Sequence, residues 1–141
     1  MKDFKKILIC TLFLSFTFNA FSQPSKEKIE VTKLAESIQS WNGDKLPSYP
    51  TGQPKITILK IIIPPHQKLD LHKHLVINAG ILLKGVLTVF DEKNNMLELK
   101  AGDSIIELVN KYHYGENKGD EPAEIMVFYA GVVGTPITVK K

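Results

Sequence analysis

The chain has 141 residues and contains no arginine, so every basic side chain is a lysine. Arginine is the usual residue for two-pronged contacts to phosphates and bases, and its absence argues against a nucleic-acid partner. The net charge is only +3, and no run of basic residues indicates a membrane-surface patch. Cys10 is the only cysteine. The sequence therefore predicts neither a disulfide framework nor a thiol nucleophile.

The N-terminus predicts a cleaved secretory signal peptide. A lysine-rich start precedes the apolar stretch Ile7–Phe18, which is shorter than the about 20 residues that span a bilayer. The small residues Ala20 and Ser22 then precede an expected cleavage before Gln23. We expect residues 1–22 to be removed together with Cys10. The remaining residues 23–141 should form a single domain in the periplasm or outside the cell, with no membrane contact.

Beyond residue 54 the chain reads as short strands separated by turns. Apolar and often β-branched runs recur between Gly, Pro, Asn and Asp residues, which predicts an all-β antiparallel sandwich or barrel. Residues 29–53 should form an N-terminal arm. Its apolar residues between Ile29 and Trp41 fit either a helical stripe or a short strand near Ile29–Val31 followed by a turn, and we favour the strand. The end of the arm, with its Gly and Pro residues, should be irregular. A bend is expected at Ala79-Gly80. The predicted strands are 56–63, 69–78, 81–84, 86–90, 96–100, 104–109, 112–117, 124–130 and 137–139.

Three histidines are candidate metal ligands. His72 and His74 stand two positions apart in an apolar stretch, so a strand would project both to one face. Either a shared metal ion or separate hydrogen bonds to the backbone would satisfy two buried imidazoles. His113 follows a Gly-Asp turn and an apolar strand, and a barrel can bring it opposite the first pair. Three converging imidazoles form a usual site for a catalytic divalent metal, here Fe, Mn, Zn or Ni.

The spacing of these residues resembles the two motifs of the cupin superfamily, G-x5-H-x-H-x3,4-E-x6-G and G-x5-P-x-G-x2-H-x3-N. His72, His74, Asn78 and Gly85 follow the spacing of the first motif, with Asn78 at the position of its Glu. The second motif is followed from Gly102 through His113 to Asn117, with Leu108 and Asn110 at its Pro and Gly positions.

This resemblance covers about residues 54–139 and implies a jelly-roll β-barrel whose mouth holds a divalent metal. It implies His72, His74 and His113 as ligands, with position 78 as the fourth. Asn78 has two interpretations. It is a weak ligand or an orienting group beside a histidine, or the site is degenerate and binds no metal.

Glu107 is a lone acid in the apolar segment IIELV. In one interpretation it faces solvent, because a charged group is rarely buried without a partner. In the other it faces the cavity, where it supplies the carboxylate that Asn78 lacks or acts as a general base.

Other residues carry weaker expectations. Trp41 lines the ligand mouth or anchors the core. Asn117 should secure a turn, and Asp70 should point away from the His72 face into solvent.

Two functions remain open, because a fold does not select a reaction. One is a metal-dependent enzyme of dioxygenase or isomerase type acting on a small metabolite in the barrel mouth. The other is a non-catalytic module that binds a small ligand, such as a sugar. In both cases we expect a homodimer, since the arm and the apolar strand edges are free to pair.

Overall fold

The computed structural model describes residues 28–141. The predicted signal peptide, residues 1–22 with Cys10, lies outside the described residues. In the described part, no helix is long and apolar enough to cross a membrane. Residues 32–141 form one compact unit.

The described residues form nine strands and no helix. The strands are β1 (Pro54–Ile63), β2 (His72–Lys73), β3 (Ile77–Lys84), β4 (Val86–Asp91), β5 (Met96–Lys100), β6 (Ser104–Ile106), β7 (His113–Glu116), β8 (Ala123–Val132) and β9 (Val139–Lys140). They build a four-stranded sheet of order β1-β8-β3-β6 and a five-stranded sheet of order β5-β4-β7-β2-β9. All ladders between named strands are antiparallel. The predicted all-β antiparallel architecture is confirmed.

The core lies between the two sheets. β8 alternates strictly in burial, and its inward residues Ile125, Val127 and Tyr129 are buried. Leu87 and Val89 of β4 belong to the same buried cluster from the other sheet. The period of two that predicts a strand therefore also decides which side chains enter the core.

The predicted strand over residues 69–78 is wrong in its continuity. It splits into β2, which belongs to the five-stranded sheet, and β3, which belongs to the four-stranded sheet, with a bend at residues 75–76 between them. The bend expected at Ala79-Gly80 is absent, and β3 runs through it. Gly80 is needed there for close approach, because a Cβ would lie 3.1 Å from the Met126 carbonyl oxygen. The chain thus changes sheet immediately after His74.

The N-terminal arm also differs from expectation. No strand forms near Ile29–Val31. Part of the arm runs along the edge of β6, where the Trp41 amide donates to the Ile106 carbonyl oxygen at 2.9 Å and the Ser40 hydroxyl donates to the Glu107 carbonyl oxygen at 2.8 Å. The arm is therefore used to cover one edge of the four-stranded sheet, and it is not wholly free to pair with a second chain.

Candidate metal centre

Two chain segments bring the three histidines together. His72 of β2 and His113 of β7 are directly opposite each other in the antiparallel ladder. His74 follows β2 and makes an isolated bridge to Val109. Their ring centroids lie 4.6–5.0 Å apart, and one nitrogen from each ring lies within 4.8 Å of the others. The structure thus places His72, His74 and His113 where they can share one metal ion.

Backbone carbonyl groups hold all three rings by the same atom. Nδ1 of His72 lies 2.7 Å from the Asp70 carbonyl oxygen, and Nδ1 of His113 lies 3.0 Å from that of Lys111. Nδ1 of His74 lies 3.0 Å from the Ile137 carbonyl oxygen. A carbonyl oxygen accepts only, so each Nδ1 must carry the hydrogen and donate it. The lone pair of each neutral ring is therefore on Nε2, the nitrogen that is free to bind a metal.

Burial keeps these rings neutral. Desolvation and, to a smaller extent, the neighbouring His113 together lower the pKa of His74 to about 3, against the hydrogen bond to the Ile137 carbonyl oxygen. Desolvation also lowers the pKa of His72 and of His113, against the opposing hydrogen bonds to backbone carbonyls. Neutral imidazole is the form that binds metals.

Glu107 faces the cavity. It follows β6, is only 8% exposed, and lies beside the histidines with its Oε2 at 3.5 Å from Nε2 of His113. Neither of these two atoms has a hydrogen-bond partner. Burial raises the pKa of Glu107 to about 7, against the opposing effect of His72. The solvent-facing interpretation of Glu107 is therefore wrong.

Asn78 lies beside the site, one strand away from Glu107. It is 1% exposed, its Nδ2 donates to the Val76 carbonyl oxygen at 3.2 Å, and its Oδ1 is buried without a partner. It does not line the cavity that the histidines and Glu107 line. Metal binding by Asn78 stays a prediction.

Two residues at positions of the resembling motifs, Gly85 and Asn110, have positive φ angles. Gly85 has φ +75°, and a Cβ there would lie 2.7 Å from the Pro122 carbonyl oxygen. Asn110 has φ +59°, and its amide donates to the His74 carbonyl oxygen at 2.7 Å. Asn tolerates the left-handed region better than most residues. Asn110 can therefore adopt the left-handed conformation at the position where the resembling motif has a glycine.

The cavity between the sheets has a volume of about 240 Å³. Most of its lining is aliphatic, including Ile61, Ile63, Leu87, Ile125 and Val127. The polar groups lie at the histidine end and at the mouth.

Asp70 and Lys140 form an exposed ion pair at the mouth, 2.6 Å between Oδ2 and Nζ. The Asp70 side chain is 71% exposed, as the sequence predicted, and it lies at the rim of the cavity. Its backbone carbonyl oxygen accepts from His72.

Sequence reasoning missed Tyr129 and Thr138. The Tyr129 ring packs edge-on against His74 at 5.3 Å between centroids, and burial raises the pKa of Tyr129 to about 12. The Thr138 hydroxyl lies 3.1 Å from Nδ1 of His74. The alternation of side chains along β8 was the one sequence signal that could have indicated that Tyr129 faces inward. No sequence signal indicated Thr138.

Two further expectations have clear outcomes. Trp41 packs against the core cluster and does not line the cavity. Asn117 is fully buried, and its Nδ2 lies within hydrogen-bond distance of the carbonyl oxygens of Ile63, Pro64 and Glu121. Asn117 secures the turn after β7, as predicted.

Comparison with solved structures gives the same architecture. A Klebsiella pneumoniae protein with a double-stranded β-helix domain aligns with a TM-score of 0.55 and 18% identity, covering 80% of this chain and 97% of that one. The DMSP lyase DddQ from Ruegeria pomeroyi aligns with a TM-score of 0.54 and 19% identity over 61% of this chain and 43% of that one. For an oxalate oxidase bound to the substrate analogue glycolate, the TM-score is 0.52 and the identity 19%, over 60% and 45% of the two chains.

These identities establish the fold alone, and the chain spans less than half the length of the lyase and the oxidase. No curated protein is significantly similar to it in sequence. Residues 59–129 match the cupin domain family. This match includes all three histidines and Glu107, and the two-sheet fold is the one the match implies. The chain belongs to the cupin family.

Proposed function

We propose that the protein is an exported metal-dependent enzyme, of dioxygenase or isomerase type, that acts on a small molecule in the mouth of its barrel. His72, His74 and His113 hold one divalent ion, Fe, Mn, Zn or Ni. The observation that carries this proposal is the shared hydrogen-bond pattern of the three rings, in which each Nδ1 is occupied by a carbonyl oxygen. One nitrogen of each ring lies within 4.8 Å of the others, and Nε2 of His113 is buried without a partner, which is costly unless a cation or a donor binds it.

The residues present fit a metal. Three imidazoles leave coordination positions open for a substrate, as in other three-histidine catalytic sites. A bound divalent ion would act as a Lewis acid or, if redox-active, activate oxygen. The chain itself supplies the orientation of the rings, a largely aliphatic cavity, and the hydroxyl of Tyr129. That hydroxyl stays protonated at neutral pH, because its pKa is raised to about 12, and it can donate a hydrogen bond.

The lining and the volume of the cavity also indicate which kind of substrate it can bind. Its walls are mainly aliphatic, and its volume of about 240 Å³ suits a molecule of few heavy atoms. Among the residues that the structure describes, Lys140 is the only lysine that lines it, and Asp70 neutralises Lys140 at the mouth. We propose a substrate with a small, largely hydrocarbon body and one oxygen-bearing group that reaches the metal. Enzymes among the structural neighbours, a DMSP lyase and an oxalate oxidase, make a catalytic role on this fold reasonable.

The test is elemental analysis of the purified protein, followed by anaerobic titration with Fe(II), Mn(II), Zn(II) and Ni(II). Small carboxylic acids, alcohols and enols are then screened for oxygen consumption and, without oxygen, for isomerisation by NMR. We expect about one ion per chain and turnover of at least one compound class. Absence of binding for every ion would overturn the proposal.

The alternative is a non-catalytic module that holds a small ligand. Asn78 favours it, because a neutral amide is a weaker ligand than a carboxylate for hard cations. The two functions differ in one measurement. The melting temperature of a binding module should rise with its ligand even in the presence of a chelator. The enzyme should lose ligand binding, and with it this rise, when the metal is removed.

We also propose that two chains pair through β1. Among the described residues, no strand pairs with the outer edge of β1, while part of the arm covers the β6 edge. The outward side chains Ile56, Ile58 and Ile62 are 65%, 55% and 57% exposed, and Phe128 of β8 adjoins them. An open apolar edge invites pairing with a second copy. Light scattering at micromolar concentration should give twice the chain mass, and Ile58→Lys should give one chain mass.

The proposal of export rests on the sequence of residues 1–22. Mass spectrometry of the protein from the periplasmic or extracellular fraction should find a chain that begins at Gln23. An intact Met1 start in that fraction would contradict it.

A further inference from the structure

Glu107 and His113 present two unpartnered polar atoms to each other inside the cavity. The Glu107 Oε2 and the His113 Nε2 are 3.5 Å apart, and neither has a hydrogen-bond partner. Because Nδ1 of His113 donates to the Lys111 carbonyl oxygen, Nε2 carries a lone pair and no hydrogen. A carboxylate oxygen also offers only lone pairs. Two acceptors that face each other repel, unless a proton or a metal cation lies between them.

Their separation is the one expected of two atoms bound to the same ion. Donor atoms held about 2.1 Å from a metal lie roughly 3.0 Å apart at right angles and roughly 3.4 Å apart at the tetrahedral angle. The observed 3.5 Å is close to this range. A hydrogen bond between the same atoms would instead bring them to roughly 2.7–3.0 Å.

Within the cavity, only His72 and the Leu108 amide favour the charged form of Glu107, and no lysine among the described lining residues is paired with it. The residue is 8% exposed, and an ionised carboxylate buried without a partner is costly. Lys140, the only cationic residue among the described residues lining the cavity, is engaged with Asp70 at the mouth. Three neutral imidazoles and one carboxylate would together give a divalent ion a singly negative ligand set.

The fold explains why residue 107 reaches this point and residue 78 does not. Ala79 of β3 is paired with Ile106 of β6 at the end of the ladder, and Asn78 and Glu107 are the next residues beyond this pair. The Glu107 amide donates to the Asn78 carbonyl oxygen at 3.1 Å, which confirms that the two residues adjoin. Cross-strand neighbours lie about 5 Å apart at Cβ. Glu is one methylene longer than Asn, and only Glu107 lines the cavity.

We propose that Glu107 is the fourth protein ligand of the metal, in place of residue 78. This inference rests on the proposed function, because it requires that His72, His74 and His113 hold the ion. It selects among the roles that the sequence left open for Glu107: the residue binds the metal and is not a free general base.

The test compares Glu107→Gln with a matched control, Glu116→Gln, which makes the same change on β7 outside the cavity. Each purified protein is stripped with a chelator and titrated anaerobically with Mn(II) by calorimetry. We expect Glu107→Gln to weaken Mn(II) binding by about 100-fold, since a hard cation prefers a carboxylate to an amide. The Glu116→Gln variant should bind as the original protein does.

A spectroscopic measurement separates a ligand from a residue that acts through His113. Co(II) is bound in place of the native ion, and the visible absorption spectrum reports its coordination. We expect Glu107→Gln to change the band positions and Glu116→Gln to leave them unchanged. Glu107→Asp, which keeps the carboxylate but shortens it, should weaken Mn(II) binding less than Gln does. If circular dichroism shows that Glu107→Gln does not fold, Glu107→Asp replaces it in the test.

The possible failures are distinguishable. If Glu107→Gln keeps both the Mn(II) affinity and the Co(II) spectrum while His113→Ala loses the metal, the ligand assignment is overturned and the proposed function stands. If the original protein binds no divalent metal, both are overturned. If turnover alone falls in Glu107→Gln with affinity and spectrum intact, Glu107 is a general base and the ligand assignment is again overturned.

Discussion

The cavity has two walls that are built by different forces. The histidine wall consists of His72, His74 and His113, each oriented by a hydrogen bond to a backbone carbonyl oxygen. The aliphatic wall consists of Ile61 and Ile63 of β1 with Ile125 and Val127 of β8. Directional bonds hold the first wall, and non-directional packing holds the second. Substitutions in the first wall should therefore change metal binding, and substitutions in the second should change stability.

Glu107 is the exception that joins the two walls. It belongs to the four-stranded sheet, which supplies the aliphatic wall, yet it carries a polar group toward His113. Its buried position raises its pKa in the same cavity that lowers the pKa values of the histidines. Desolvation acts against whichever form is charged, so the acid and the bases shift in opposite directions.

The largest expected effect is on the histidine wall. The His113→Ala variant should weaken metal binding by about 100- to 1,000-fold. This assumes that one ligand contributes about a quarter of the roughly 10–16 kcal/mol of a four-ligand site. Elemental analysis after dialysis and calorimetric titration measure it. Full metal occupancy in His113→Ala would show that the three rings do not form one site.

The next expected effect is on the pH dependence of stability, to which the histidines and Glu107 contribute with opposite signs. In the metal-free protein the histidine pKa values are lowered, so unfolding takes up protons and stability is lost as the pH falls below about 6.5. Glu107 has a raised pKa of about 7 against a usual 4.5, so its folded form gains stability as the pH falls across that window. The two contributions oppose each other between pH 4.5 and 6.5, and below pH 4.5 only the loss continues.

The Glu107→Gln variant removes the opposing contribution. In this variant the loss between pH 6.5 and 4.5 should be uncompensated and reach about 2 kcal/mol from His74 alone. Thermal or urea unfolding of chelator-treated protein between pH 3.5 and 7.5 measures it. Parallel pH profiles for the original protein and Glu107→Gln would refute this assignment of the buried acid.

The smallest effect is on the aliphatic wall. Ile63 is 1% exposed, and Ile63→Val removes one methyl group from the packed cavity wall. We expect a loss of about 0.5–1.5 kcal/mol in the free energy of unfolding. Metal affinity should stay unchanged, because the three rings are oriented by hydrogen bonds to backbone carbonyl oxygens of other residues. Urea denaturation and calorimetric titration of the same preparation measure both, and a joint fall would show that the two walls are coupled.

Much of the fold could be predicted from local sequence patterns. The alternation in β8 and the turn residues around β4 and β5 predicted these strands closely, because a strand period is visible in consecutive residues. The break between β2 and β3 was missed, because it arises where the chain leaves one sheet for the other. The role of the arm was missed for the same reason, since its partner β6 lies far along the chain.

By itself the sequence determined the fold class, the family and the three histidines, because strand period and motif spacing are properties of neighbouring residues. Only the tertiary structure decided that Glu107 faces the cavity, that Asn78 lies beside it, and that Tyr129 and Thr138 adjoin His74. The direction of a side chain after a strand has ended depends on the path of the loop and on cross-strand register. Both are set by contacts between segments distant in sequence, which no local pattern records.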